Sequence, residues 1–204
     1  ADCSQDLFSQ LEVELIDALK QLQTSIGSVN GYHQPRSLEE LCVLRQEYPE
    51  SILLSGGTDW MLRATQNLED VDTLISTERV SELQALNVKG SDWSIGAAVS
   101  LSRIKEQAKA SGFAALDHLL NRFASTQIRN RATLGGSIGN ASPIGDLAPL
   151  MLALDAHLSL VSSHQTRTLA LNHFFLGYKK TDLRQDEVIG QINFEVDEQA
   201  HIYF

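Results

Sequence analysis

Two short segments carry the residue types from which a phosphate-holding loop is built. Ser55-Gly56-Gly57-Thr58-Asp59 follows the apolar run Ile52-Leu53-Leu54, and Thr133-Leu134-Gly135-Gly136-Ser137 repeats its chemistry, a glycine pair flanked by hydroxyls. Paired glycines let the backbone approach a ligand with no Cβ in the way, and successive amide N–H groups form a concavity for an anion. Taken alone, the first pentapeptide reads as a strand-ending turn; two such segments in one chain are harder to dismiss as turns. Neither G-x-x-x-x-G-K-[ST] nor G-x-G-x-x-G occurs in the chain, so a phosphate here would rest on amides and hydroxyls without a P-loop lysine. That suits a diphosphate being held more than a γ-phosphate being transferred.

Gly135-Gly136-Ser137-Ile138-Gly139 also spells G-x-S-x-G, the nucleophile elbow of serine hydrolases. An elbow needs a strand before it, a helix after it, and an acid and a histidine downstream. Asn140-Ala141-Ser142-Pro143 predicts no helix start, and Asp155 and His173 have no supporting pattern, so the match reads as accidental. The 6 histidines show no metal-ligand spacing, and no metal site is predicted. Asp146, just ahead of Leu147-Ala148-Pro149, reads as a helix cap, and Phe123 as core.

The elements that must position these loops are partly legible. Phe8, Leu11, Leu15, Leu19 and Leu22 predict one helix over the first 26 residues, capped by Ser4 and stopped by Gly27. Ser37-Leu38-Glu39-Glu40 is a capping box opening a second helix that Pro49 ends. Strands are predicted at Ile52–Leu54 and Val71–Ser76, and a hairpin around Lys89-Gly90-Ser91-Asp92. Helices follow at Leu101–Ala110 and Phe113–Phe123, then a hairpin of His157–Val161 with Thr166–Leu171, then strands at Val188–Phe194 and His201–Phe204. Residues 125–146 show no sustained period and are expected to lack secondary structure, as functional segments of that length often do. Helices and hairpins mix without βαβ alternation, which predicts an α+β class.

With 204 residues and 43% hydrophobic content, the composition is that of an ordinary globular protein. Lys+Arg 16 against Asp+Glu 26 gives a net charge of −10 with no basic cluster, a poor match to nucleic acid or an anionic membrane. No apolar run reaches the ~18 residues of a membrane span, and the N-terminus has neither the basic region nor the apolar core of a signal peptide. Cys3 and Cys42 stand apart, consistent with a reducing compartment, so a cytoplasmic location is expected. The absence of an initiator Met, and an end inside an expected strand, suggest a fragment.

Taken in order, these segments resemble the flavin domain of the molybdenum hydroxylases. The resemblance runs through Tyr32–Glu40, Leu53–Asp59, Ile95–Val99 and Ala124–Asn130, is densest across Ala132–Asp146, and continues at Phe174–Thr181 and Asp186–Ile189. Within the family the chain most resembles the iron–sulfur/flavin small subunit of bacterial xanthine dehydrogenases. Two departures stand out: Ser137 where the family usually has Asn, and Gly139 where Ala is common.

The resemblance implies a two-subdomain FAD-binding fold of the vanillyl-alcohol-oxidase/PCMH type, truncated at its C-terminus. Residues 1–27 would be a helical tether from a ferredoxin-like domain, 28–86 the first FAD subdomain and 87–204 the second. FAD would be held by Leu53, Leu54, Ser55, Gly56, Gly57, Thr58, Asp59 and Trp60 in one loop. Thr133, Gly135, Gly136 and Ser137 would hold its diphosphate, with Asp146 hydrogen-bonded to the cofactor. Phe123 and Ile189 would make apolar contacts, and Thr126 would line the same cleft. The implied activity is electron transfer from 2Fe-2S clusters through FAD to NAD⁺ while a molybdenum cofactor on a large subunit oxidises hypoxanthine or xanthine. No nucleophile or general base is then required of this chain. The alternatives are a relative acting on carbon monoxide, nicotinate or an aldehyde, a serine hydrolase using Ser137, and a non-catalytic nucleotide-binding module.

Overall fold

The computed structural model describes residues 7–21 and 28–196. Helix α1 spans Leu7–Gln21, and its Leu11, Leu15, Ile16 and Leu19 side chains are exposed, so this apolar stripe contributes nothing to the core. The expected strand at His201–Phe204 lies outside the described residues, as do Ser4 and Gly27.

Strands β1 (Ser28–Val29) and β2 (Tyr32–His33) form a hairpin that precedes helix α2 (Leu38–Glu47). Ser37 caps α2 by accepting from the Glu40 amide at 3.1 Å, while the Glu40 carboxylate accepts from the Arg36 amide. The Ser37 half of the predicted box is present, with the Glu40 carboxylate reaching one residue past the cap to Arg36, and α2 ends in the C-cap Tyr48, the residue before Pro49. Next come β3 (Ile52–Leu54), helix α3 (Trp60–Gln66) and β4 (Leu74–Ser76), followed by a single 3₁₀ turn at Ser81–Gln84. β4 runs parallel to both β2 and β3 in a sheet of order β1-β2-β4-β3.

A second sheet begins with the hairpin β5 (Leu86–Lys89) and β6 (Asp92–Gly96), turning at Gly90. Helices α4 (Leu101–Ser111), α5 (Ala114–Arg122), α6 (Thr126–Arg131), α7 (Leu134–Gly139) and α8 (Leu147–Ala153) follow. The sheet resumes with β7 (His157–Val161) and β8 (Thr166–Ala170). After α9 (Leu171–Phe174) and the small hairpin β9 (Phe175–Gly177) and β10 (Lys180–Thr181), β11 (Val188–Glu195) completes it. Its order is β5-β6-β11-β7-β8, antiparallel throughout.

The α+β class is therefore as expected, but residues 125–146 are not structureless: α6 and α7 lie there. Both are too short to display an apolar period, and their N-caps, Ser125 and Thr133, are the available signal. One hydrophobic core joins the two sheets, running from Leu41 and Ile75 to Ile95, Leu158 and Ile192. Trp93 stacks on Phe194 with ring centroids 5.7 Å apart and packs edge-on against Phe113, closing its far end.

Candidate functional site

A cleft of about 540 Å³ opens where the two sheets meet. One wall is the segment leaving β3, from Leu53 to Trp60; the other is α7 with its cap, from Thr133 to Gly139. Ala97 and Leu101 form its floor, and Phe123, Val188 and Ile189 close it from the side. Fourteen of the sixteen residues the sequence proposes meet here, from strands and loops far apart in the chain.

The two that do not are Thr126 and Asp146. Thr126 is exposed, and its hydroxyl accepts from Arg129 Nη2 at 3.1 Å. Asp146 occupies the N-cap position of α8 with helical backbone angles, yet its side chain makes no capping bond. The cap reading is corrected on that point: the Asp146 carboxylate is exposed and uncommitted at the cleft's edge, beside the lining residue Gly145.

The glycine pairs divide their work unexpectedly. A Cβ on Gly56 would lie 1.8 Å from the carbonyl oxygen of Arg131, and one on Gly135 only 2.5 Å from Ala97. These two glycines permit backbone-to-backbone packing within the protein, a role beyond the ligand approach that the sequence suggests. Gly57 has φ +73°, the left-handed conformation that favours glycine, and this turns the chain from β3 into α3.

Amides follow the same division. Gly135 N–H donates to Ala97 O, Gly136 N–H to Thr133 Oγ1 and Ser137 N–H to Thr133 O, each at 3.0–3.1 Å. The second loop has spent the donors that were expected to face a diphosphate. By contrast, the amides of Gly56, Gly57 and Thr58 form no hydrogen bond among the described residues. Backbone donors without a partner among the described residues therefore lie on the first loop, and the second loop offers hydroxyls.

The loops are latched together. Ser55 Oγ and Thr133 Oγ1 lie 3.0 Å apart, and Thr133 Oγ1 also accepts the Gly136 amide. Whichever hydroxyl donates across the latch, the other keeps its own O–H proton for a further acceptor. Two more polar atoms of lining residues, Trp60 Nε1 and Thr77 Oγ1, are buried without a partner. Both can donate, so a ligand rich in acceptor oxygens fits this cleft. Its charged lining residues are Asp59 and Arg63, the latter paired with Glu69.

Ser137 lies inside α7 rather than at a strand-to-helix elbow, and among the described residues no histidine lines the cleft, so the geometry of a hydrolase elbow is not met. Among the described residues no cluster of three His, Cys, Asp or Glu side chains is placed to hold a metal, and no helix is long and apolar enough to cross a membrane.

Sequence reasoning missed Thr77, Arg63, Ala124 and Leu183, all of which line the cleft. Ala124 opens a segment that carries the family resemblance without itself standing out; Thr77 arrives through topology because β4 ends beside β3, and Leu183 because its loop leads into β11.

Fold and cleft together define an α+β domain with a cleft lined largely by neutral groups, several of them hydrogen-bond donors. The chain belongs to the family described as the FAD binding domain in molybdopterin dehydrogenase, whose model matches residues 23–194. It is 31% identical over 218 residues to xanthine dehydrogenase 2 of Arabidopsis thaliana, covering 93% of this chain and 16% of that protein. Aldehyde oxidase 2 of Rattus norvegicus is 31% identical over 184 residues, covering 85% of this chain and 14% of that one. In structure the domain is similar to a chain of carbon monoxide dehydrogenase from Hydrogenophaga pseudoflava, with TM-score 0.78 and 28% identity, covering 85% of this chain and 61% of that one. The chain thus spans about a sixth of the plant relative. The domain is an FAD-binding domain, and the donor set of its cleft fits that cofactor.

Proposed function

We propose that this domain is the electron exit of a xanthine dehydrogenase-like enzyme, oxidising hypoxanthine or xanthine to urate with NAD⁺ as acceptor. Bound FAD supplies the redox chemistry, since a flavin exchanges single electrons on one side and a hydride on the other. In this reading the FAD-holding fold is of the vanillyl-alcohol-oxidase/PCMH type, with subdomains at 28–86 and 87–204. The α1 segment is the tether from an upstream 2Fe-2S domain, and a large subunit carries the molybdenum cofactor. The enzyme works in the cytoplasm.

The chain's own residues bind and orient. The unspent amides of Gly56, Gly57 and Thr58, with the Ser55–Thr133 hydroxyl pair and Ser137, hold the diphosphate. Leu53, Leu54, Trp60, Phe123 and Ile189 shield the cofactor from water. Asp146, free of any capping duty, accepts from a cofactor hydroxyl; Thr126 acts one step back, through Arg129. The observation that carries the reading is the first loop's row of amides without a partner among the described residues, in the same cleft as the latched hydroxyls.

Xanthine added anaerobically tests the division of labour. The flavin band should bleach in the complete enzyme and stay unchanged with this chain alone, whereas NADH should bleach both. Bleaching of the isolated chain by xanthine would overturn the proposal. The similarity to an aldehyde oxidase and a carbon monoxide dehydrogenase favours a second reading, the same electron exit serving another substrate. Bleaching of the complete enzyme by an aldehyde and not by xanthine selects it.

A further inference from the structure

Arg129 is a buried guanidinium with no carboxylate beside it. Its residue is 8% exposed, and it forms no ion pair among the described residues. Nη1 instead donates to two backbone carbonyls, Phe123 O at 2.6 Å and Ala124 O at 2.7 Å, while Nη2 donates to Thr126 Oγ1 at 3.1 Å. Those carbonyls belong to the turn that leaves the C-terminus of α5, where a cation is favoured by the helix dipole. Within the turn Ala124 has φ +49°, a left-handed conformation that a residue with a Cβ seldom adopts.

A strained turn persists only where its surroundings over-determine it. Here Nη1 of one planar guanidinium bridges both carbonyls while Nη2 ties the same group to Thr126, and α6, from which Arg129 projects, is held by its Ser125 cap. Phe123 and Ala124 both line the cleft, whereas Arg129 does not. We infer that Arg129 is a positioning residue of the FAD site, locking the Phe123–Ala124 turn so that the Phe123 ring faces the cofactor. This rests on reading the cleft as the FAD site.

The test is equilibrium titration of the deflavinated full-length protein with FAD, for wild type, Phe123→Ala, Arg129→Gln, Arg129→Lys and the double variant Phe123→Ala/Arg129→Gln. Near-ultraviolet circular dichroism of the aromatic side chains, taken without FAD, checks that each variant is folded. Phe123→Ala and Arg129→Gln should each weaken FAD by roughly tenfold, and the double variant by little more than either alone, because both remove one contact. Arg129→Lys keeps the charge but not the planar pair of nitrogens that ties both carbonyls and Thr126 to one rigid group, so it should fall well short of wild type; wild-type affinity there would overturn positioning in favour of charge. Multiplicative losses in the double variant would overturn it too, as would an unchanged Arg129→Gln beside a weakened Phe123→Ala. If Phe123→Ala itself binds normally, the cleft reading fails along with the inference. Should Arg129→Gln not fold, the Lys variant with and without Phe123→Ala gives the same coupling.

Discussion

Ser55 and Gly135 sit on opposite walls of one cleft and fail in different ways when changed. Ser55→Ala removes half of the hydroxyl latch and leaves the backbone alone. It should weaken FAD by about 1 kcal/mol, roughly fivefold, with little change in thermal midpoint. Gly135→Ala would place a Cβ 2.5 Å from Ala97, at the join between α7 and the end of β6. That should cost about 1–3 kcal/mol of stability with or without FAD, read as a lower denaturant midpoint. A stable Gly135→Ala protein would contradict the packing role. Sequence alone saw two equivalent glycine pairs; which glycine meets protein and which meets ligand is decided by partners more than thirty residues away.

At the scale of elements, the loop from Asp182 to Val188 is clipped onto β8 by charge. Arg167 donates to Glu187 at 2.7 and 2.8 Å and to Asp182 at 2.7 Å, with Glu187 only 1% exposed. Burial alone would raise the Glu187 carboxyl, but bonds from Arg167 and the Arg184 amide, with attraction to both guanidinium groups, hold it below the usual range. A depressed folded value means stability that is complete above the unfolded value of about 4.3 and lost as pH falls through the folded one. Glu187→Gln should therefore cost about 3 kcal/mol near neutral pH. Its urea midpoint should also fall less than the wild type's on moving from about pH 5 to about pH 3. Equal acid sensitivity in both proteins would show that the carboxylate is not the titrating group. The hairpins β5–β6 and β7–β8 and helices α2, α4 and α5 were legible because caps, turns and periods mark them locally. Strand β11 shows as an apolar run, but its place between β6 and β7 does not, and neither α6 nor α7 is long enough to show a period.

For the whole molecule, an acidic chain of net charge −10 has a cleft with no unpaired cation among its described lining residues, since Arg63 pairs with Glu69. Binding by dipoles at short range is screened little by salt, so FAD affinity should change less than about threefold between 50 mM and 500 mM salt. A steep loss would point to a cationic site elsewhere. The most direct test of the cleft as the FAD site is amide hydrogen exchange with and without the cofactor. The amides of Gly56, Gly57 and Thr58, which have no partner among the described residues, should slow markedly when FAD binds. Those of Gly135, Gly136 and Ser137, already bonded to Ala97 and Thr133, should change far less. Binding of FAD that leaves Gly56, Gly57 and Thr58 exchanging at their free rate would contradict the account.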